Sequence, residues 1–296
     1  MNSEPLLFSI VIPTYNRAHL IAATLHTVLK QDYRDFEVLV IDDGSTDNTA
    51  EVVGQFADPR LSYHRKPNAE RGAARNFGAA LARGRYVNFF DSDDLLYPHH
   101  LSEAARLIAE HKSPEWFHLA YDYRTPDNQL LFTVTGFTQR TVSALLFDNR
   151  LSCNGVFLRK DIAAQYPFVE DRVLASSEDW HLWIRLICRF HLYFSNCVTS
   201  TVVQHDQRSL RTIPADKIEA RDLLLINLLY ADAVVQQRYG SSFRKFVAQR
   251  YTFFMLHRAA QKNRQKVFSW ARQAAMAYPL ILFTKRFLAA IKNSLT

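Results

Sequence analysis

Arg85-Tyr-Val-Asn-Phe-Phe-Asp91-Ser92-Asp93-Asp94-Leu-Leu-Tyr-Pro98 is an apolar run that ends in three carboxylates within four positions. Tyr86 to Phe90 reads as a buried strand, and a buried strand has no use for the acids that close it. Carboxylates packed this closely repel one another and raise one another's pKa. A metal cation relieves that repulsion directly. The plain alternative is a solvated strand-to-helix loop in which Asp93 or Asp94 supports the start of the next helix. The sequence on either side decides between them.

Upstream, strand and helix patterns alternate. Phe8 to Pro13 is a β-branched strand followed by Thr14-Tyr15-Asn16-Arg17, after which Leu20, Ile21, Thr24, Leu25, Val28 and Leu29 share one helical face. Phe36 to Ile41 is a second strand, ending in Asp42-Asp43-Gly44-Ser45. Thr46 or Asp47 caps a helix from Thr49 to Phe56. Leu61 to His64 is a third strand, and Glu70 to Ala82 a helix carrying Arg71, Arg75 and Asn76. This alternation predicts an α/β fold, a Rossmann-like, mostly parallel sheet flanked by helices. Ligands of such sheets gather at the carboxyl ends of the strands, where Thr14-Tyr15, Asp42-Asp43 and Asp91 to Asp94 converge. No G-x-G-x-x-G turn follows the first strand and there is no P-loop, which argues against a dinucleotide dehydrogenase or an ordinary ATPase. Phosphate bound at this edge is then neutralised by metal and arginine.

Downstream, the pattern predicts a helix from Pro98 to His111, a strand from Trp116 to Tyr121 and a turn from Asp122 to Gln129. A short helix from Thr141 to Phe147, a strand from Asn154 to Leu158 and a turn at Tyr166-Pro167 follow. Ser176-Ser177-Glu178-Asp179-Trp180 opens an apolar helix that runs to about Phe190. Leu192 to Phe194 and Val198 to Val203 read as closing strands before Gln204-His205-Asp206. After Pro214 the chain is helical: Asp216 to Tyr239, Phe243 to Asn263, Val267 to Tyr278, and a fourth helix after Pro279. A boundary near Ser209 separates an α/β domain, 1–208 with halves 1–97 and 98–208, from a basic helical region, 209–296.

The 296 residues are 48% hydrophobic and 22% charged, as in an ordinary soluble globular protein. Three cysteines without paired spacing argue against a disulfide scaffold and a structural zinc site. The first residues lack a basic-then-apolar leader, and no apolar run reaches the roughly 20 residues needed to span a bilayer. A cytoplasmic protein is expected, peripheral at the inner face of the cell membrane. The net charge of +7 is unevenly spread: Ser241 to Thr296 holds eleven cations and no acid, which leaves −4 for the residues before it. Such a tail suits a polyanionic partner, an anionic membrane surface or nucleic acid. Tyr278 to Asn293 mixes apolar residues with cations and fits either an interfacial helix or a helix packed on its own domain, and Phe253, Phe254, Leu256 and Trp270 read as core.

The ordered set Val11-Ile-Pro-Thr-Tyr-Asn-Arg17, Asp42-Asp-Gly-Ser45, Ala74-Arg-Asn-Phe-Gly78, Phe90-Asp-Ser-Asp-Asp94 and Glu178-Asp-Trp180 closely resembles the family 2 glycosyltransferases. These are inverting, GT-A-fold enzymes that use nucleotide sugars, and the likeness covers about residues 8 to 206. It implies Tyr15 beside the base and Asp43 on the base's edge, with Asp42 and the backbone at Pro13 and Thr14 completing the pocket. Arg75 would point toward the nucleotide, with Arg71 a further candidate. The Asp91-Ser-Asp93 (DXD) motif would hold Mg2+ or Mn2+, with Asp93 the leading ligand. Asp91 and Asp94 would serve metal, ribose or support, and His205 would meet the metal or diphosphate. Asp179 would be the general base, with Glu178 beside it, and Trp180 would shape the acceptor or sugar pocket. Each residue also has a structural reading: turn and cap for Asp42 and Asp43, a solvated helix face for Arg71 and Arg75, helix-start electrostatics for Glu178 and Asp179.

The function implied is an inverting, metal-dependent transfer from a nucleotide-diphosphate sugar, by default a UDP-sugar. The acceptor would be a saccharide or lipid-linked saccharide in surface polysaccharide or lipopolysaccharide-type glycan synthesis. Two other readings compete. A non-catalytic sugar-nucleotide binder is disfavoured by the presence of Asp93 and Asp179. A nucleic-acid-binding protein lacks a recognisable motif, and the acidic sites before Ser241 would repel a polyanion.

Overall fold

The structure is a computed structural model and describes residues 6–205 and 214–295. It divides into two compact units, Met1–Leu145 with Asn149–Arg208, and Leu146–Asp148 with Ser209–Thr296. The expected boundary near Ser209 and the acid Asp206 lie outside the described residues.

The first unit begins β1 (Phe8–Thr14), α1 (Ile21–Leu29), β2 (Phe36–Asp42), α2 (Thr49–Gly54), β3 (Leu61–Arg65), α3 (Glu70–Leu81) and β4 (Tyr86–Phe89). It continues β5 (Leu95–Leu96), α4 (His100–Glu110), β6 (Trp116–Arg124), β7 (Leu130–Val134) and α5 (Gln139–Ala144). Then come β8 (Val156–Arg159), α6 (Lys160–Gln165), α7 (Glu178–Ile187) and β9 (Tyr193–Val203). The strands form one sheet ordered β3-β2-β1-β4-β8-β6-β9-β5, with β7 paired to β6. Strands β1 to β4 are parallel, and β8 enters antiparallel between β4 and β6. The central strands of the sheet are buried on both faces. Ile10, Ile12, Val38 and Val40 enter one core, while Val11, Leu39 and Ile41 enter the other, as the two-residue period of a strand requires.

Gly78 sets how closely α3 lies on this sheet. A Cβ there would stand 2.3 Å from Val11 Cγ1 and 3.0 Å from Ile41 Cγ1, so only glycine admits the helix at this distance. Arg75 sits on the same helix, one turn earlier, and the close approach brings it to the strand ends.

Local chemistry accounts for where elements differ from the sequence pattern. The acidic loop is followed by β5, a two-residue strand on β9, rather than by helix directly. Lys160–Gln165 forms a helix between the expected strand ending at Leu158 and the expected turn at Tyr166-Pro167, where the pattern assigns no element. The two expected closing strands are one strand, β9, with register irregularities at Leu119 to Tyr121 of its partner β6. The short helix before residue 147 starts early because Thr138 forms a capping box with Thr141.

The second unit contains α8 (Ala215–Ala231), α9 (Ala233–Tyr239), α10 (Ser241–Ala260) and α11 (Arg264–Ala277), then a 3-10 turn, Pro279–Phe283, and α12 (Lys285–Leu295). The helix expected over Asp216 to Tyr239 is broken at Asp232, whose carboxylate accepts from Val234 N and Val235 N and so starts α9. The cations after Ser241 are partly matched within this unit. Buried Arg258 pairs with Glu219 (Nε to Oε1, 2.5 Å) and Asp216, and Arg250 Nε donates to Asp222 Oδ2 at 2.8 Å. Met255, Val267, Ala274, Ile281 and Phe287 form the core, with Leu256 and Trp270 packed against it. Among the described residues no helix is long and apolar enough to cross a membrane.

Candidate active site

The parallel register of β1 and β2 brings their carboxyl ends side by side, and Asp43 N donates to Thr14 O at 2.9 Å. Asn16, in the left-handed region at φ 52, ties the two loops together. Its N–H donates to Ser45 Oγ at 2.9 Å and its Oδ1 accepts from Thr46 N at 2.8 Å. Tyr15 is left 48% exposed, with its ring available to a flat ligand, while Thr14 is buried. Asp42 is buried and builds the turn: Oδ1 accepts from Ser45 N at 2.7 Å and Oδ2 from the Tyr63 hydroxyl. Burial, and then the Asp42 carboxylate, push the Tyr63 phenol well above its ordinary pKa. Asp43 Oδ1 accepts from Lys66 Nζ at 2.7 Å and Ala69 N at 2.9 Å, so one edge of this carboxylate is fixed by the loop leading into α3.

The acidic loop is fastened from below by one side chain. Asn154, in a 3-10 turn (Cys153–Gly155), accepts from Asp91 N on Oδ1 (3.0 Å) and donates from Nδ2 to Asp94 Oδ2 (2.7 Å). Val203 N, at the end of β9, donates to Asp94 Oδ1 at 2.9 Å. Both oxygens of Asp94 are therefore engaged inside the protein, and the residue is fully buried. Asp93 faces differently: its Oδ2 lies 3.0 Å from His205 Nε2 and 3.6 Å from Arg17 Nη2. Asp91 Oδ1 accepts from Arg75 Nη2 at 3.0 Å.

Arg75 is 2% exposed, stands over the Phe168 ring at 5.3 Å, and spans the site. Its Nη2 holds Asp91 and its Nη1 donates to buried Glu178 Oε1 at 2.7 Å. Arg71 Nε lies 4.0 Å from the same Glu178 oxygen. Both terminal nitrogens of Arg75 thus serve carboxylates from opposite sides of the site.

Glu178 and Asp179 form the first turn of α7, entered through Ser176 at φ 74, a strained conformation for a non-glycine residue. Burial first, and then the charge of Glu178, push Asp179 up to about 6, against the pull of Arg75. Asp179 Oδ1 accepts from Trp180 N at 2.6 Å, while Oδ2 lies 3.4 Å from Asn149 Nδ2 and 4.0 Å from the Cys153 thiol, itself raised by burial. Trp180 is buried and donates from Nε1 to Leu145 O at 2.8 Å, so it is a fixed wall rather than an open stacking face.

The structure thus gathers Asp91, Arg75, Glu178 and Asp179 into one connected group, and Asp93 with His205 into another. Asn154, Lys66 and Arg17 carry weight that the sequence pattern does not flag. Asn154 reads there only as a strand start, and Lys66 lies between the third strand and the next helix, outside every motif. Among the described residues no three His, Cys, Asp or Glu side chains form a ready-made metal cage. Asp93 and His205 offer two donors, which suits a small divalent ion that keeps water and substrate oxygens as its other ligands.

The profile described as "Glycosyl transferase family 2" matches residues 9–121. The Escherichia coli UDP-Glc:alpha-D-GlcNAc-diphosphoundecaprenol beta-1,3-glucosyltransferase WfgD is 30% identical over 197 residues, 66% of this chain and 75% of that one. Among solved structures, S. aureus TarS 1-349 in complex with UDP-GlcNAc superposes with a TM-score of 0.65 at 18% identity, over 92% of this chain and 91% of that one. The mannosyltransferase PcManGT from Pyrobaculum calidifontis, in complex with GDP-Man and Mn2+, gives a TM-score of 0.58 at 18% identity, over 99% and 88%. These likenesses are to GT-A folds, and the sheet and flanking helices described above agree with them.

Proposed function

The chain belongs to glycosyl transferase family 2 and is a glycosyltransferase; from that premise we propose that it inverts the anomeric centre of a nucleotide-diphosphate sugar, with Asp179 as general base. The observation that carries this reading is the Arg75 bridge. One guanidinium joins Asp91, on the donor side, to Glu178, the neighbour of Asp179. Leaving group and acceptor are thereby handled on opposite sides of one rigid contact.

In this reading Tyr15 stacks on the nucleobase, Asp43 accepts from its imide N–H, and backbone at Pro13 and Thr14 closes the pocket. The acceptor hydroxyl gives its proton to the Asp179 carboxylate as its oxygen bonds to the anomeric carbon, and the carbon–oxygen bond to the diphosphate breaks. A base with a pKa near 6 is well matched to neutral pH, because it is ionised yet still basic. Asp93 and His205 would hold Mg2+ or Mn2+, which supplies Lewis-acid charge neutralisation to the departing diphosphate. Asp91 stays oriented by Arg75, and Asp94 keeps the loop in shape. Trp180 and Asn149 limit the space beside Asp179 where the acceptor enters.

A UDP-sugar is the favoured donor, since WfgD is named for UDP-Glc and the TarS structure holds UDP-GlcNAc. WfgD is also named for a diphosphoundecaprenol-linked acceptor, which supports a lipid-linked saccharide here. A lipid-borne acceptor would bring the enzyme to a bilayer surface. The test combines a panel of sugar nucleotides with polyprenyl-diphosphate-linked GlcNAc, with and without Mn2+. Metal-dependent release of one nucleoside diphosphate with sugar transfer is expected, and Asp179→Asn should bind nucleotide but transfer nothing. Transfer by that variant would remove Asp179 as the base.

A further inference from the structure

The amphipathic segment at the end of the chain has the composition of an interfacial helix, but α12 has already used its apolar stripe. Phe287 and Ala290 are buried in the core of their own unit, and Ile291 packs against it. What remains outside, besides Leu288 on the helix, is the 3-10 turn that precedes it. In Pro279–Phe283, Leu280 is 61% exposed, Leu282 is also exposed, and Phe283 is 80% exposed. Ile281, at the centre of the turn, is 2% exposed and packed among the core residues, so the turn is pegged in place and its neighbours are held outward. Large apolar side chains clustered this way on a surface mark an interaction site rather than ordinary exposure.

The charges beside the turn name the partner. Lys285 and Arg286 follow it after Thr284 and are exposed. Lys292 stands four residues after exposed Leu288 and Lys285 three before it, which puts both cations and the leucine on one flank of α12. Among the described residues none of these three cations pairs with an acid, and from Ser241 to Thr296 the sequence contains none. A second copy of this segment would meet it with like charge. Apolar side chains flanked by cations instead match the boundary between acyl chains and anionic headgroups.

We propose that the Pro279–Phe283 turn, with Lys285 and Arg286, docks the protein on an anionic lipid surface. The turn inserts Leu280, Leu282 and Phe283 while the helix after it stays packed in the protein. This gives a membrane element to the lipid-linked reading of the active site and rests on that reading for its purpose. Its test uses no donor or acceptor, so the two can fail separately.

Full-length protein is floated with phosphatidylcholine vesicles and with vesicles that also contain phosphatidylglycerol, at low and high salt. Binding to the anionic vesicles alone, weakened by salt, is expected. The triple variant Leu280→Ser, Leu282→Ser, Phe283→Ser should lose about tenfold or more in vesicle affinity, since each buried large side chain contributes strongly, with its melting temperature unchanged. Lys285→Gln with Arg286→Gln should weaken binding to anionic vesicles about tenfold. Unaltered vesicle binding by the triple variant overturns the proposal, as does no binding by the wild-type protein. A wild-type dimer that the triple variant converts to monomer, with vesicle binding retained, overturns it in favour of a second copy. Vesicle binding without any sugar transfer would sink the proposed reaction and leave the docking surface standing.

Discussion

Replacing Arg75 with methionine is the sharpest perturbation of this site. The side chain keeps much of its length but loses the charge that holds two carboxylates. Glu178 is buried, and its contact with Arg75 is 2.7 Å, so its charge would be stranded without a partner. Removing one member of a buried ion pair costs about 3–5 kcal/mol. Asp91 is more exposed and adds less. At about 2–4 °C per kcal/mol for a domain of this size, Arg75→Met should melt roughly 6–20 °C below wild type. The double variant Arg75→Met, Glu178→Gln removes the stranded charge and should recover about half or more of that loss. A second readout separates this from general loosening. Arg75 pulls the Asp179 pKa down, so if Asp179 is the base, loss of Arg75 should move the acidic limb of kcat/KM to higher pH. Melting by urea and heat for the three proteins, with pH profiles of residual transfer, gives the answer. A single variant within about 2 °C of wild type, or a double variant no more stable than the single, would refute the bridge as described.

Further predictions follow from the same contacts. Transfer should fall as pH drops through about 6, because in the proposed reaction Asp179 must be ionised to accept a proton; a flat profile from pH 5 to 8 would contradict it. Between about pH 4 and 6 the folded chain holds a proton on Asp179 that the unfolded chain has released, so stability declines as pH rises through that window. Asp179→Asn should therefore be inactive yet about 1–3 kcal/mol more stable than wild type near pH 8, measured by urea unfolding. Asp93→Asn should abolish the extra thermal stabilisation that Mn2+ gives with UDP, while nucleotide alone still binds; an unchanged Mn2+ effect would move the metal elsewhere. Gly78→Ala should cost about 1–3 kcal/mol by forcing α3 off Val11, read as a lowered melting temperature, with transfer impaired through Arg75.

Much of the fold is legible because strands β1 to β4 and helices α1 to α3 carry strong local periods and stops such as Gly44 in the turn after β2, although β1 runs through Pro13 to Thr14 in register with β2. Their carboxyl ends meet because parallel register follows from the alternation itself. What could not be read is what depends on distant partners. β5 is only two residues long and exists through β9, and β8 runs antiparallel between two strands that lie far from it in sequence. The difference between Asp93 and Asp94 is of this kind. Adjacent and chemically identical, they diverge because Asn154 and Val203 N take up Asp94 while His205 and Arg17 reach Asp93. The partners of two tail cations are of the same kind: Glu219, Asp216 and Asp222 on α8, which hold Arg258 and Arg250, lie before Ser241 in sequence but within the same unit.

The fastening of the acidic loop also has a consequence for the order of assembly. The residues that shape Asp91 to Asp94 arrive 60 positions later, at Asn154, and 109 positions later, at Val203. Contacts of such separation form late, because the intervening chain must close first. During synthesis the parallel strands β1 to β4 can pair while their acidic loop still lacks its scaffold. The fastening of the loop is complete only when Asn154 and Val203, at the end of β9, have both been synthesised and have joined the sheet, so the acidic loop reaches its final shape after the strand that carries it.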